Sequence, residues 1–459
     1  MRSKITNWAQ IHPARAATVA GWYQQLCSAG AALLIIPVLI NSLGIEVAGI
    51  WFSLQGIIAI FTLSDFGFSM AITRQVAHSF YAAHDVDHLP SDLIKMSSGW
   101  KGAAAIYAAS RTIFMRVMFA SILLFIIAYE LVLPHTNLLP NPTTETTLVW
   151  YLLAVSFALI FQARLSQAFL DGLGYMYLSR VIAGTYQLIC GLFSILSLWM
   201  GFGLTGLAVV LLAGSFVQFS AMHISLSKVA AGELISNPED SRPLIGKLCK
   251  VAIPFGLVSA GGYLVGAVQV PLLGALLGPT VIASIYIALK ISQILNGGVL
   301  QVVTAQMPLF TKQCAQGDWT GARLRMFKTL VLGAGLQILV AIFLYFISPV
   351  LVKLWIGPGH YIEGVVLLVF TINYLITCLA GLPAQFVLAS GRNPFALSTI
   401  LHGILTLSGM VLFCPQLGLL GVPLAGIVGV ILTNFWLNPM EAWGTWQSLK
   451  RTDNLAIQP

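Results

Sequence analysis

Charged side chains are scarce in this chain of 459 residues: they make up 8% of it, whereas hydrophobic residues make up 58%. Soluble domains carry about 25% charged residues, so a soluble protein of this length would lack an adequate polar surface. The composition therefore predicts an integral membrane protein. Cysteine is also rare, with six residues and no Cys-x-x-Cys pair, so neither a disulfide framework nor a thiolate metal site is indicated.

Long hydrophilic segments and a nucleotide-binding loop are absent as well. The polar stretches between apolar runs are short, and even the largest, at about 75–112, leaves no room for a separate catalytic domain. No G-x-x-x-x-G-K-[ST] sequence occurs, so ATP hydrolysis is not indicated as the energy source. The basic residues are scattered and do not form a basic face interleaved with aromatics, which argues against nucleic acid as a partner.

Apolar runs long enough to cross a bilayer are what the sequence does contain. A membrane helix needs about 20 mostly apolar residues. The segments of this kind lie near 18–42, 47–72, 113–133, 147–169, 181–200, 204–224, 251–276, 281–306, 329–352, 362–389, 395–414 and 418–440. The sequence thus predicts an all-α, polytopic membrane protein with about twelve transmembrane helices. In the seventh segment, Gly262 and Gly266 have the spacing that favours close helix packing.

The basic residues predict the orientation of the chain in the membrane. If the N-terminus is cytoplasmic, 21 of the 23 Lys and Arg residues fall in cytoplasmic segments, while Lys353 falls outside and Lys290 lies within a span. Such a bias is the positive-inside pattern. It predicts a multi-pass protein with an even number of spans and both termini in the cytoplasm.

The two halves of the chain share short motifs at equivalent spans. The matching pairs are Pro37-x-Leu39-x-x-x-Leu43-Gly44 with Pro271-x-Leu273-x-x-x-Leu277-Gly278, Gly203-Leu-x-Gly206 with Gly418-Leu-x-Gly421, and Gln167-x-x-Leu170 with Gln385-x-x-Leu388. Many transporters consist of two related halves, so these pairs predict a six-plus-six duplication with domains 1–228 and 229–459. Six spans give both halves the same orientation, with a cleft between two bundles that suits transport.

Two segments resemble a known family of membrane transporters. "LGIEVAGIWFSLQGIIAIFTLSDFGFSMAITRQVA" (43–77) is similar to the second-span signature of the polysaccharide transporters in the multidrug/oligosaccharidyl-lipid/polysaccharide (MOP) exporter superfamily. The shared pattern is a Leu-Gly, a glycine-aromatic step, an Asp-Phe-Gly and a following arginine, here Arg74. The counterpart "LGPTVIASIYIALKIS" (277–292) carries the family's tyrosine, alanine and basic residue as Tyr286, Ala288 and Lys290.

The resemblance implies a flippase, not an enzyme, in a bacterial inner (plasma) membrane, with two six-helix bundles forming a V-shaped central cleft. Its substrate would be an undecaprenyl-pyrophosphate-linked oligosaccharide of the O-antigen or exopolysaccharide type, moved by alternating access. No cofactor is implied beyond H+ or Na+ as the coupling ion. A polysaccharide polymerase and a chain-length regulator are candidate partners besides the lipid bilayer. A MATE-like multidrug or organic-cation antiporter and a membrane-embedded polysaccharide polymerase or acyltransferase stay open as alternatives.

Polar residues in two equivalent spans are the candidates for the substrate pathway. Gln55 and Asp65 share one narrow face of the second span, and Lys290, Gln293 and Gln301 form a stripe on the eighth. A central Lys or Asp in lipid costs ~2.5–3.5 kcal/mol or more. Both stripes are therefore expected to face protein or a water-filled cleft.

Lys290 is the strongest of these candidates, because it lies ~15 Å deep in its span and has the charge to meet a pyrophosphate or an acidic sugar. Asp65 has two interpretations: a proton or sodium site that couples transport, or a structural partner of Arg74, Arg116 or Arg164 near a kinked helix end. Arg164 likewise either attracts anions at the inner mouth of the cleft or anchors the fourth span at the membrane surface.

Overall fold

The protein is built from helices in every part that the computed structural model describes, namely residues 13–61, 65, 67–81, 99–132, 143–234, 238–304, 306–315, 318–389 and 393–456. No strand occurs in these residues. Their α-helices are α1 (Pro13–Phe61), α2 (Phe68–Tyr81), α3 (Trp100–Ile127), α4 (Thr144–Gly172), α5 (Met176–Trp199), α6 (Gly203–Ala230), α7 (Pro238–Gly266), α8 (Gln269–Leu277), α9 (Pro279–Thr304), α10 (Met307–Ala315), α11 (Trp319–Ile342), α12 (Ser348–Trp355), α13 (Gly364–Ala389), α14 (Ala396–Leu417), α15 (Gly421–Leu432) and α16 (Asn434–Ala456).

Ten helical stretches within these residues are long and apolar enough to cross a membrane. Two of them, Ala16–Ile57 and Ala396–Ser448, contain 42 and 53 residues. Each is long enough for two crossings of about 20 residues. The predicted all-α, multi-pass architecture with about twelve spans is confirmed.

Glycines at the predicted repeat positions adopt matching backbone conformations. Gly44, which interrupts α1, has φ 80° and ψ 164°, and Gly278, between α8 and α9, has φ 88° and ψ 168°. Gly203 and Gly418 likewise have φ angles of 61° and 59°. Positive φ is readily accessible to glycine because it has no Cβ. The same local geometry thus recurs at equivalent spans, which supports the predicted duplication.

A second correspondence between the halves has no signature in the sequence. The third span ends in a π-helical turn at Ala128–Val132, and the ninth span contains one at Phe343–Ile347. Such turns are rare and usually occur singly inside α-helices. The two turns are separated along the chain by the same number of residues as Gly203 and Gly418. Their sequences, AYELV and FLYFI, nevertheless have little in common.

Two compact units divide the chain, one formed by Met1–Leu43 with Ile58–Ser259 and the other by Gly44–Ile57 with Ala260–Pro459. This division differs from the predicted domains 1–228 and 229–459 in the segments 44–57 and 229–259. The segment 44–57 belongs to the second unit because it packs there without a gap: a Cβ on Gly49 would stand 1.9 Å from the carbonyl oxygen of Pro279.

Candidate functional site

Lys290 lies on α9 in the second unit, half-buried and one turn beyond a pair of stacked rings. The rings belong to Phe52 and Tyr286, whose centroids are 4.0 Å apart with planes inclined by 10°. Residues four apart lie on the same face of a helix, so Tyr286 and Lys290 point to the same side of α9. Among the residues that the structure describes, no charged group acts on the Lys290 ammonium.

Gln55 lies just beyond the same ring pair, on the α1 segment that packs against α9. It is half-buried and follows Phe52 by about one helical turn. Gly49 contacts Pro279 and Phe52 contacts Tyr286, so the two helices advance in the same direction. Gln55 and Lys290 are therefore both displaced from the stacked rings toward the same end of the unit. An amide and an ammonium so placed can both donate hydrogen bonds to an anionic oxygen.

The other predicted residues of the eighth-span stripe extend along α9. Gln301 lies about three turns beyond Lys290 on nearly the same face and is half-buried, whereas Gln293 is exposed. Four of the five predicted pathway residues thus lie in the second unit, and the fifth, Arg164, lies in the first. Their role in substrate passage stays a prediction.

A buried hydrogen-bond chain fixes α9 against α11 and α13. The Gln337 amide donates to the Asn296 side-chain oxygen over 2.7 Å, and the Tyr374 hydroxyl donates to the Gln337 oxygen over 2.6 Å. Gln337 is fully buried. Such a network rigidifies the helix that carries Lys290, because each member would be costly to bury without its partner. The sequence pattern does not predict it, since isolated Asn, Gln and Tyr residues in three spans give no sign of meeting.

A second polar cluster joins α14 to α16 in the same unit. The Nδ1 atom of His402 lies 3.1 Å from the Asn434 side-chain nitrogen. The His402 Nε2, Thr406 Oγ1 and Asn434 Oδ1 atoms are buried and have no protein partner within the described residues. Because buried polar atoms without partners are costly, this cluster has unused capacity for hydrogen bonding. It was not among the predicted residues, and its only sequence signal is a histidine within the eleventh span.

Asp65 lies in the first unit, just before the start of α2. It accepts hydrogen bonds from the Ser69 backbone N–H over 3.1 Å and from the Ser69 hydroxyl over 2.9 Å. From three residues before the helix, the carboxylate thus satisfies an otherwise free N–H of the first turn and acts as a cap. The positive charge of Arg164, on α4, also acts on this carboxylate. The structure thus brings together two predicted charges, Asp65 and Arg164, within one unit.

The second span is not the continuous helix expected from its hydropathy. α1 ends at Phe61, Gly67 has φ 71°, and α2 begins at Phe68. The predicted span 47–72 is therefore broken at Gly67, and Gln55 and Asp65 belong to different units. Arg74 lies on α2, but its side chain is outside the part that the structure describes.

α2 packs closely on α4 beyond the Asp65 cap. The Thr73 hydroxyl donates to the Ala168 carbonyl over 3.1 Å. Further along, a Cβ on Gly172 would stand 2.8 Å from both the Thr73 carbonyl oxygen and the Val76 Cβ. The middle of α2 is consequently held on α4.

Substitutions of Asp65 separate its two interpretations. Asp65→Ala should lower the amount of folded protein in the membrane, because it removes a cap worth about 0.5–2 kcal/mol and leaves Arg164 without its partner. Asp65→Asn should lower it less, since the amide oxygen still accepts from Ser69. Membrane abundance by immunoblot, measured beside transport activity, checks this. Glu46→Ala, which removes an exposed carboxylate, is the control. Normal abundance with lost transport in both Asp65 variants would instead indicate ion coupling.

The predicted packing role of Gly262 and Gly266 is wrong. A Cβ added to either residue would meet no atom within 4 Å among those the structure describes. The neighbouring Gly261 makes the close approach instead, at 2.4 Å from the Thr399 carbonyl carbon. The four-residue spacing was uninformative because the face that α7 presents to α14 is set by tertiary packing.

A family model described as "Polysaccharide biosynthesis protein" matches residues 22–313. No curated protein matches the chain in sequence.

Solved structures resemble the chain over nearly its whole length. An inward-facing multidrug resistance MATE family transporter of the MOP superfamily has a TM-score of 0.70 at 14% identity, covering 96% of this chain and 99% of that one. The lipid II flippase MurJ in an inward closed conformation has a TM-score of 0.67 at 12% identity, with coverages of 95% and 92%. A MOP superfamily transporter from Pyrococcus furiosus has a TM-score of 0.61 at 13% identity, with coverages of 95% and 97%. Identities this low indicate a common fold.

Proposed function

Since the chain belongs to the family of polysaccharide biosynthesis proteins, we propose that it is a flippase for undecaprenyl-pyrophosphate-linked oligosaccharides in a bacterial inner membrane. It carries O-antigen or exopolysaccharide repeat units across the bilayer by alternating access, with both termini in the cytoplasm. A gradient of H+ or Na+ drives it, as the missing nucleotide-binding loop suggests.

The observation that carries this proposal is Lys290, a half-buried cation deep in a membrane helix with no charged neighbour among the described residues. Charges within membrane spans are costly and mark substrate or ion pathways. A cation without a protein counter-ion favours an anionic substrate, and a pyrophosphate meets that requirement. Gln55, on the adjoining helix, adds an uncharged donor suited to sugar hydroxyls or phosphate oxygens.

Moving a lipid-linked oligosaccharide is a problem of solvating its head group. The hydrocarbon core is about 30 Å thick, and sugar hydroxyls and phosphates cannot cross it unaccompanied. A path lined by amides and a lysine replaces water around the head group, while the prenyl tail remains in the bilayer. A structure of similar fold is a lipid II flippase, which supports a lipid-linked substrate for this chain.

An organic-cation antiporter is the second candidate, because one transporter of similar fold is a multidrug resistance protein. Export of cations would be served by a carboxylate in the pathway, where this chain has Lys290. The half-buried carboxylate Asp65 accepts from Ser69 and lies under the influence of the Arg164 charge in the other unit. The charge of the predicted pathway thus favours the flippase.

Reconstitution tests the proposal directly. Purified protein in liposomes should move a fluorescent undecaprenyl-pyrophosphate oligosaccharide between leaflets, and an imposed pH or sodium gradient should accelerate this movement. Protection of the fluorophore from an external reductant measures it. Protein-free liposomes and liposomes without a gradient are the controls. Accumulation of ethidium with no movement of the lipid-linked sugar would support the antiporter instead.

A further inference from the structure

A pocket of about 420 Å³ lies between α10 and α11 in the second unit, away from Lys290. Polar and basic side chains line one part of it, and leucines of α11 line the rest. The loop before α11 is one that the distribution of basic residues assigns to the cytoplasmic side. Basic pockets between helices on that side are suited to lipid head groups.

The guanidinium of Arg325 is held in a fixed orientation within this pocket. Its Nε donates to the Gln313 side-chain oxygen over 2.6 Å, and its Nη1 donates to the Gln306 oxygen over 3.0 Å. Both acceptors are neutral amides. Among the described residues, no carboxylate forms an ion pair with Arg325, so its charge is oriented but not neutralised.

The carboxylate nearest to this arrangement is already engaged. Asp318 accepts from the Gln313 side-chain nitrogen over 3.0 Å and caps α11 through the Gly321 N–H over 2.9 Å. It therefore fixes Gln313, which in turn directs Arg325. The remaining N–H groups of a guanidinium held in this way match two oxygens of one phosphate.

A second cation and an apolar surface complete the pocket. Lys328 is exposed one turn beyond Arg325 on α11. On the same face, Leu324 and Leu332 lie one turn before and one turn after Lys328 and are 51% and 52% exposed. Exposed leucines on a membrane-spanning helix suit contact with acyl or prenyl chains. The pocket thus presents cations beside an apolar surface, which is the pattern of an anionic lipid.

We infer that this pocket binds the phosphate group of an anionic membrane lipid from the cytoplasmic leaflet. Arg325 forms paired hydrogen bonds to the phosphate, Lys328 adds a mobile charge, and the leucines pack against the chain of the lipid. A phospholipid and a prenyl phosphate share this chemistry. The inference does not depend on which substrate the protein transports.

Lipid binding by the purified full-length protein tests the inference. Native mass spectrometry would count bound phosphatidylglycerol and undecaprenyl phosphate, with diacylglycerol and undecaprenol as their neutral counterparts. We expect at least one of the two phosphate lipids to bind more tightly than the neutral lipid that matches it. Arg325→Gln should weaken that binding by about tenfold, and Lys328→Gln by roughly threefold, since charge-assisted hydrogen bonds are the stronger contact. Whichever phosphate lipid binds more tightly is the class of lipid that the pocket takes.

Lys228→Gln is the matched control, because it removes an exposed cation at the end of α6, outside the pocket. It should leave the binding unchanged. Equal binding of phosphate lipids and neutral counterparts would overturn the inference, and so would equal weakening by K228Q and K328Q. If R325Q does not fold, the K328Q variant still tests the inference, since Lys328 is exposed and its side chain makes no hydrogen bond within the described residues.

Discussion

Replacement of Lys290 by alanine is expected to abolish export of the surface polysaccharide, and Lys290→Arg is expected to retain part of it. The ammonium is half-buried and has no charged protein neighbour among the described residues, so we expect its counter-charge during transport to come from the substrate. Truncating one partner of a buried charge pair costs about 2–5 kcal/mol, which corresponds to a loss of roughly thirtyfold to several thousandfold. Arginine keeps the charge but differs in shape and donor geometry.

Complementation of a strain that lacks the gene measures this effect. Surface polysaccharide would be quantified on gels and normalised to the amount of each variant in the membrane. Lys353→Ala is the matched control, because it removes an exposed lysine at the end of α12 and should leave export unchanged. Full export by Lys290→Ala at equal abundance would contradict the role assigned to Lys290.

The helical architecture could be predicted because lipid places strict demands on sequence. Every backbone polar group in the hydrocarbon must be satisfied within its own segment, so spans appear as long apolar runs. The repeat could be recognised at Gly44 and Gly278 because a positive φ selects glycine there. The matching π-turns could not be recognised, since many sequences adopt that geometry.

Contacts between distant segments limited the prediction of the candidate site. Hydropathy predicts one span for Gln55 and Asp65, yet the packing of Gly49 on Pro279 places the Gln55 segment against α9. Asp65 instead accepts from Ser69 at the start of α2, and α2 packs on α4 through the Thr73 hydrogen bond. The sequence does predict that Asp65 stands near a kinked helix end. It does not predict which arginine meets it, because that depends on how two helices are rotated about their axes.

Rotation about a helix axis also explains why the choice of packing glycine in α7 was wrong, and it makes a pair of adjacent substitutions informative. Gly261→Ala should destabilise the protein, because its Cβ would lie 2.4 Å and 2.6 Å from the Thr399 carbonyl carbon and oxygen on α14. Backbone atoms cannot rotate away as a side chain can. The helices must separate, at a cost of roughly 1–3 kcal/mol.

Gly262→Ala, one residue further along α7, should behave in the opposite way. Its Cβ would meet no described atom within 4 Å, and alanine favours a helix over glycine by about 1 kcal/mol. Thermal unfolding of the detergent-purified variants should therefore show a midpoint several degrees lower for G261A and an unchanged or higher one for G262A. Equal losses in the two variants would contradict the tight crossing of α7 on α14, because only one of the two faces meets another helix.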